Sequence, residues 1–214
     1  MKPGKIFLLF VAGAAFLWAG AMLVWQSLSR GPAPAGNLPN TEVASEPREL
    51  PSFRLRGPAG EFGNAQLLGR WSFLFLGYTQ CPDVCPTALS MLKEVRAAVG
   101  ADPAFDVVFV SVDPRRDRPE LLHQYLSAFD PGFIGITGED AALAPLVKGL
   151  GATYARHDNP GGPHYTVDHT ATIFLIDTRG RVVGEFLPPQ TASVLIAGLR
   201  NAARVATAIP SRGA

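Results

Sequence analysis

Hydrophobic and polar positions between residues 71 and 187 repeat with two periods, and the switches between them mark out the elements. "WSFLFLGYT" (71–79) and "FDVVFVSVD" (105–113) are apolar runs too short for a core helix. Each predicts a strand buried on both faces. Between them Leu89, Leu92, Val95 and Val99 recur at intervals of three and four, which predicts a helix from Pro86. A second helix is expected over 117–129, with Asp117 as N-cap and Glu120 completing a capping-box pattern. "GFIGITG" (132–138) reads as a short strand or loop, and 139–150 as a further helix. "TATIFLID" (170–177) and "RVVGEFL" (181–187) are strands joined by the turn Thr178-Arg179-Gly180, and a last helix covers about 191–205. Upstream, "SFRLRG" and "EFGNAQLLG" flank Pro58-Ala59-Gly60 as a hairpin.

A helix between the first two buried strands makes them parallel. The tight turn makes the last two antiparallel. The expected fold class is therefore α/β: a thioredoxin-like mixed sheet flanked by helices on both faces.

The pattern changes abruptly at the N-terminus. Ile6 to Trp25 carries no charge, and twenty apolar residues at 1.5 Å each match a hydrocarbon core of roughly 30 Å. Trp25 lies where an interfacial aromatic is favoured, and Lys2 and Lys5 orient the N-terminus inward. The reading is one N-terminal transmembrane helix ahead of the α/β domain. A cleaved signal peptide is the rival, with Ala33-Pro34-Ala35 as its cleavage site, but the apolar run exceeds the usual h-region of roughly 7–15 residues. Residues 31–47 hold four prolines and two glycines without apolar periodicity, so they read as a stiff linker. The expected organisation is an anchor over 1–30, a linker over 31–47, a globular domain over 48–205 and a tail over 206–214. A net charge of +1, with no basic run, argues against a nucleic-acid binder.

The chain holds two cysteines, Cys81 and Cys85, in "GYTQCPDVCPTALSML". Three residues separate them, one more than in a thioredoxin-type motif. Cys81 follows a buried strand and Cys85 opens the next helix, where free N–H groups and the helix dipole favour thiolates. A structural disulfide would close only a tiny loop and stabilise little. A redox dithiol and a metal site both remain open, the latter needing a third ligand. His123 falls within a helix, and His157 and His164 in the Gly/Pro-rich "ARHDNPGGPHY". His169 ends "YTVDHT", immediately before the strand expected to run antiparallel to the one feeding the cysteines. It therefore reaches the same sheet edge. The bland alternative is a histidine that caps the strand through Asp168 or backbone. Two thiolates and one imidazole suit copper, and zinc less specifically. Met91 is read as core. A peroxiredoxin-type peroxidase is disfavoured, because Tyr78 stands where that family places a threonine three residues before its reactive cysteine.

"GYTQCPDVCPT" (77–87), "VSVDPRRDRPELLHQYLSAF" (110–129) and "YTVDHTATIFLID" (165–177), in this order, resemble the SCO/SenC family of cytochrome c oxidase assembly. The resemblance covers roughly residues 48–205. It implies that Cys81, Cys85 and His169 bind one copper ion, Cu(I) or Cu(II). It implies a metallochaperone rather than an enzyme, one that serves the dinuclear copper centre of oxidase subunit II and is loaded by an upstream periplasmic copper donor. The alternative it carries is a thiol–disulfide oxidoreductase that reduces the subunit II cysteines, with Cys81 and Cys85 as the redox pair. Asp113 matches a family aspartate but also reads as a turn-forming Asp-Pro. Asp83 matches too and is expected to be exposed or to support the loop. The N-terminus has no Arg/Ser-rich transit peptide, so the expected location is a bacterial inner membrane, single-pass, with the domain in the periplasm.

Overall fold

Strand β4 (Trp71–Gly77) is buried along its whole length and forms the middle of the fold. The computed structural model describes residues 18, 22, 41–101, 103–157 and 165–208. Of residues 1–36 only Trp18 and Met22 are described, both helical and exposed. The rest of the predicted membrane helix lies outside the described residues. Among these, no helix is long and apolar enough to cross a membrane.

Residues 37–214 form one unit. Its strands are β1 (Thr41–Glu49), β2 (Arg54–Gly57), β3 (Gly60–Gly63), β4, β5 (Phe105–Ser111), β6 (Ile134–Thr137), β7 (Tyr154–His157), β8 (Thr166–His169), β9 (Ile173–Ile176) and β10 (Arg181–Phe186). Its helices are α1 (Val84–Val99), α2 (Pro119–Ser127), α3 (Asp140–Gly149) and α4 (Ala192–Ala208). Eight strands form a mixed sheet in the order β1-β10-β9-β4-β5-β6-β2-β3, and β7 and β8 form a separate two-stranded sheet. β4, β5 and β6 are parallel, and β9 runs antiparallel to β4 with Phe75 opposite Ile173. β10 pairs antiparallel with β9, so both expected strand relations are observed.

Side chains alternate across the central strands, so the sheet carries two cores. Phe73, Phe75, Val107 and Phe109 pack with Leu89 and Leu92 of α1, Leu122 and Leu126 of α2, and Leu195 of α4. Leu74, Leu76, Val108 and Val110 face the other way, against Leu143 and Leu146 of α3 and Leu55 and Phe62 of the hairpin.

Four details differ from the sequence reading, the first being that the hairpin's second arm ends at Gly63 and Asn64–Leu67 form a 3-10 helix. Residues 41–47, read as linker, lie in an edge strand paired to β10, with an irregularity between Val43 and Arg48. β7 and β8 were not foreseen. Asp117 is no N-cap: α2 begins after Arg118, and the Asp117 side chain is fully buried. It accepts hydrogen bonds from the Thr79 N–H (2.9 Å), the Thr79 hydroxyl (2.5 Å) and the Ser111 hydroxyl (2.5 Å).

Candidate metal centre

β4 ends at Gly77 and delivers the chain into the loop that carries Cys81. The Cys81 N–H turns back to the Tyr78 carbonyl at 3.2 Å, and Cys81 is half-buried. Cys85 is the second residue of α1 and is fully buried. Its backbone N–H, one of the donors a helix start leaves without an intrahelical partner, points at the Cys81 sulfur at 3.4 Å. A side chain at position 77 would displace this arrangement. A Cβ there would lie 2.8 Å from Cys85 Sγ and 2.6 Å from the Phe109 ring, so glycine makes room for the sulfur. The glycine ending the apolar run was visible in the sequence, but its purpose was not.

His169 arrives from the other side as the last residue of β8. Its Nε2 lies 3.5 Å from Cys85 Sγ. Its Nδ1–H donates to the Thr170 carbonyl at 3.2 Å, which leaves Nε2 with a lone pair. The ring stands edge-on between Phe75 and Tyr78, with centroids 5.9 and 6.0 Å away. Asp168 does not hold it, since that carboxylate pairs with His157 at 2.7 Å.

The ligand atoms of Cys81, Cys85 and His169 all lie within 4.8 Å of one another. A thiolate at ~2.3 Å and an imidazole at ~2.0 Å from one ion would be about 3.5–3.7 Å apart at tetrahedral to trigonal angles. The observed Cys85–His169 separation of 3.5 Å fits this, and so does the freed Nε2. An open groove of about 390 Å³, lined by Tyr78, Cys81, Val84, Val167 and His169, connects the cluster with solvent.

The two thiols are unequal. Cys81 is pulled down to about 5, first by the hydrogen bond from the Cys85 thiol, with burial opposing and the Cys85 N–H assisting. Cys85 is pushed up by that same shared hydrogen bond and by burial. In the reduced, metal-free chain, iodoacetamide is expected to label Cys81 at a rate that rises as pH passes about 5 and then levels off. An ordinary thiol keeps gaining reactivity up to about 8.5. Cys85 stays unlabelled until the chain unfolds. Peptide mass spectrometry across pH checks this, and native labelling of Cys85 ahead of Cys81 would contradict the assignment.

The other candidates fall elsewhere. His123 is exposed on α2, His157 is exposed on β7, and His164 lies outside the described residues. Met91 packs against the core beneath α1. Asp83 is exposed at the start of α1, without a side-chain capping bond. Asp113 is fully buried and bonded to Arg116 Nε and to the Tyr165 hydroxyl (2.5 Å), so it is more than a turn former. Sequence reasoning missed Gly77, Arg116, Tyr165 and the true role of Asp117.

Fold and cluster together define a thioredoxin-like domain with a Cys-Cys-His site at the carboxyl end of its central strand. Residues 42–204 match the family model SCO1/SenC, and the chain belongs to that family. A SCO2-like protein of Rickettsia conorii is 34% identical over 153 residues, which cover 70% of this chain and 74% of that protein. The copper-bound structure of Bradyrhizobium japonicum ScoI is 36% identical, with a TM-score of 0.64, covering 72% of this chain and 98% of the other. Apo Sco1 from Thermus thermophilus is 34% identical, with a TM-score of 0.71, covering 79% and 99%.

Proposed function

We propose that the protein is a membrane-anchored copper metallochaperone. It takes up one copper ion as cargo through Cys81, Cys85 and His169 and passes it to the dinuclear copper centre of cytochrome c oxidase subunit II. The observation that carries this reading is the convergence of two thiols and an imidazole nitrogen within 4.8 Å beside an open groove. The copper-bound relative supports the choice of metal, as does the softness of the donor set.

The residues suit a carrier. Two sulfurs and one nitrogen leave the cargo under-coordinated, so a sulfur on the acceptor can join before the carrier's ligands let go. Cys81, half-buried on the groove, is the ligand placed to be exchanged, while Cys85 is locked in the core. The apolar stretch Ile6–Trp25 would anchor the domain to a bacterial inner membrane and hold it in the periplasm, where an upstream donor supplies copper.

The test is copper titration of the reduced full-length chain in detergent, followed by mixing with metal-free subunit II. One copper per chain, a thiolate-to-copper absorption band, and movement of the metal to subunit II are expected. Reduction of a subunit II disulfide without any copper uptake would replace this reading with the oxidoreductase one.

A further inference from the structure

The ribbon of β7 and β8, which carries His169, shares no strand pairing with the main sheet. On its C-terminal side His169 is tethered to β9 through Thr170, Ala171 and Thr172. On its N-terminal side the ribbon is held to the cysteine loop by side chains: the Tyr78 hydroxyl is hydrogen-bonded with the Val167 backbone, and one guanidinium bridges the two segments. Arg116 follows β5, outside both segments that supply the ligands. Its NH1 donates to Gln80 Oε1 and to the Tyr165 carbonyl, both at 3.0 Å. Gln80 immediately precedes Cys81, and Tyr165 lies four residues before His169. The guanidinium stacks 3.7 Å from the Tyr165 ring centroid and lies 5.5 Å from that of Tyr78, whose ring in turn flanks His169. Its Nε donates to the buried Asp113 carboxylate, which also accepts from the Tyr165 hydroxyl.

We propose that Arg116 is a positioning residue that sets the distance between the two halves of the metal centre. It holds the strand bearing His169 against the loop bearing Cys81. The inference rests on reading Cys81, Cys85 and His169 as the copper site. The chemistry explains why arginine stands here. A planar guanidinium with five donors can bond a carboxylate, an amide oxygen and a carbonyl while stacking on a ring. An ammonium offers three donors at one point and no flat face. Arg156 ties β7 to the Val112 carbonyl (2.8 Å) and to Asp140 (2.7 Å). None of its hydrogen bonds or ion pairs reaches the cysteine loop.

The experiment uses the full-length, reduced chain labelled with ¹⁵N-histidine, in five forms: wild type, Arg116→Lys, Arg116→Met, the double variant Asp113→Asn/Arg116→Met, and Arg181→Gln. The double variant removes the buried carboxylate that Arg116→Met alone would strand. Arg181→Gln breaks a partly buried ion pair with Asp177 on the β9–β10 turn and controls for general loss of stability. In metal-free protein, the wild type and Arg181→Gln should show a single His169 tautomer protonated at Nδ1. Arg116→Met and the double variant should lose it, by broadening or by mixing tautomers. Copper affinity should fall about 10–100-fold in those two, as is usual for groups that orient a ligand, with partial recovery in Arg116→Lys. Unchanged His169 signals in the double variant, or equal affinity losses in Arg181→Gln, would overturn the proposal. If the wild type takes up no copper, the copper-site reading falls, and the His169 tautomer still decides the role of Arg116.

Discussion

His169→Ala is expected to weaken copper binding by on the order of 100-fold or more and to change the visible spectrum. The fold should survive. Loss of a group that merely orients a ligand costs about 10–100-fold, so loss of the ligand itself should cost at least the upper end of that range. Among the described residues no other side chain is placed to replace it. Cys81 and Cys85 are the chain's only cysteines, and Met91 packs against the core beneath α1. His157 cannot substitute either, since it is held by Asp168 on the exposed ribbon. Removing the imidazole forfeits edge-on contacts with Phe75 and Tyr78, worth about 1 kcal/mol in all, which a thermal melt will register as a small shift. His157→Ala and His123→Ala should bind copper like the wild type. An unchanged affinity and spectrum in His169→Ala would show that the cluster is a dithiol with a bystander histidine.

The parts of the fold that were legible in the sequence are those where burial alone dictates the pattern. β4 and β5 are covered on both faces, so they had to be apolar along most of their length, and α1 had to place Leu89, Leu92 and Val95 on one side. The juxtaposition of His169 with the cysteines was legible for a topological reason: antiparallel pairing of β9 with β4 brings the start of one strand beside the end of the other. The short ribbon was not legible. β7 and β8 have four residues each, β7 has no fully buried residue and β8 has one, so their alternation barely differs from a loop's. β1 was hidden for a related reason: its described side chains, from Glu46 to Glu49, are exposed, and its sequence holds a proline. An edge strand tolerates both. Arg116 and Tyr165 lie 49 positions apart, and no local period connects them.

Asp117 shows how a correct local pattern can conceal a tertiary one. An aspartate three residues before a glutamate at a helix start is the signature of a capping box, yet here the carboxyl group turns inward. It ties the end of β5, through Ser111, to Thr79 in the loop that leads to Cys81. Asp117→Ala would leave the buried Ser111 hydroxyl and the Thr79 N–H and hydroxyl to find new partners. A buried group left unsatisfied costs about 1–3 kcal/mol, and partial rescue by entering water sets the expected total at roughly 2–4 kcal/mol. For a domain of this size that is a fall of roughly 5–15 °C in Tm. Because Thr79 stands two residues before Cys81, the loss should spread to the metal centre. Copper affinity should drop even at temperatures where the variant is fully folded, and labelling of Cys81 by iodoacetamide should shift toward the pH of an ordinary thiol as its loop loosens. Asp117→Asn keeps one acceptor oxygen and should fall between. If Asp117→Ala melts like the wild type and keeps the labelling profile, the carboxyl group is not what fixes the cysteine loop, and the capping role read from the sequence regains its claim.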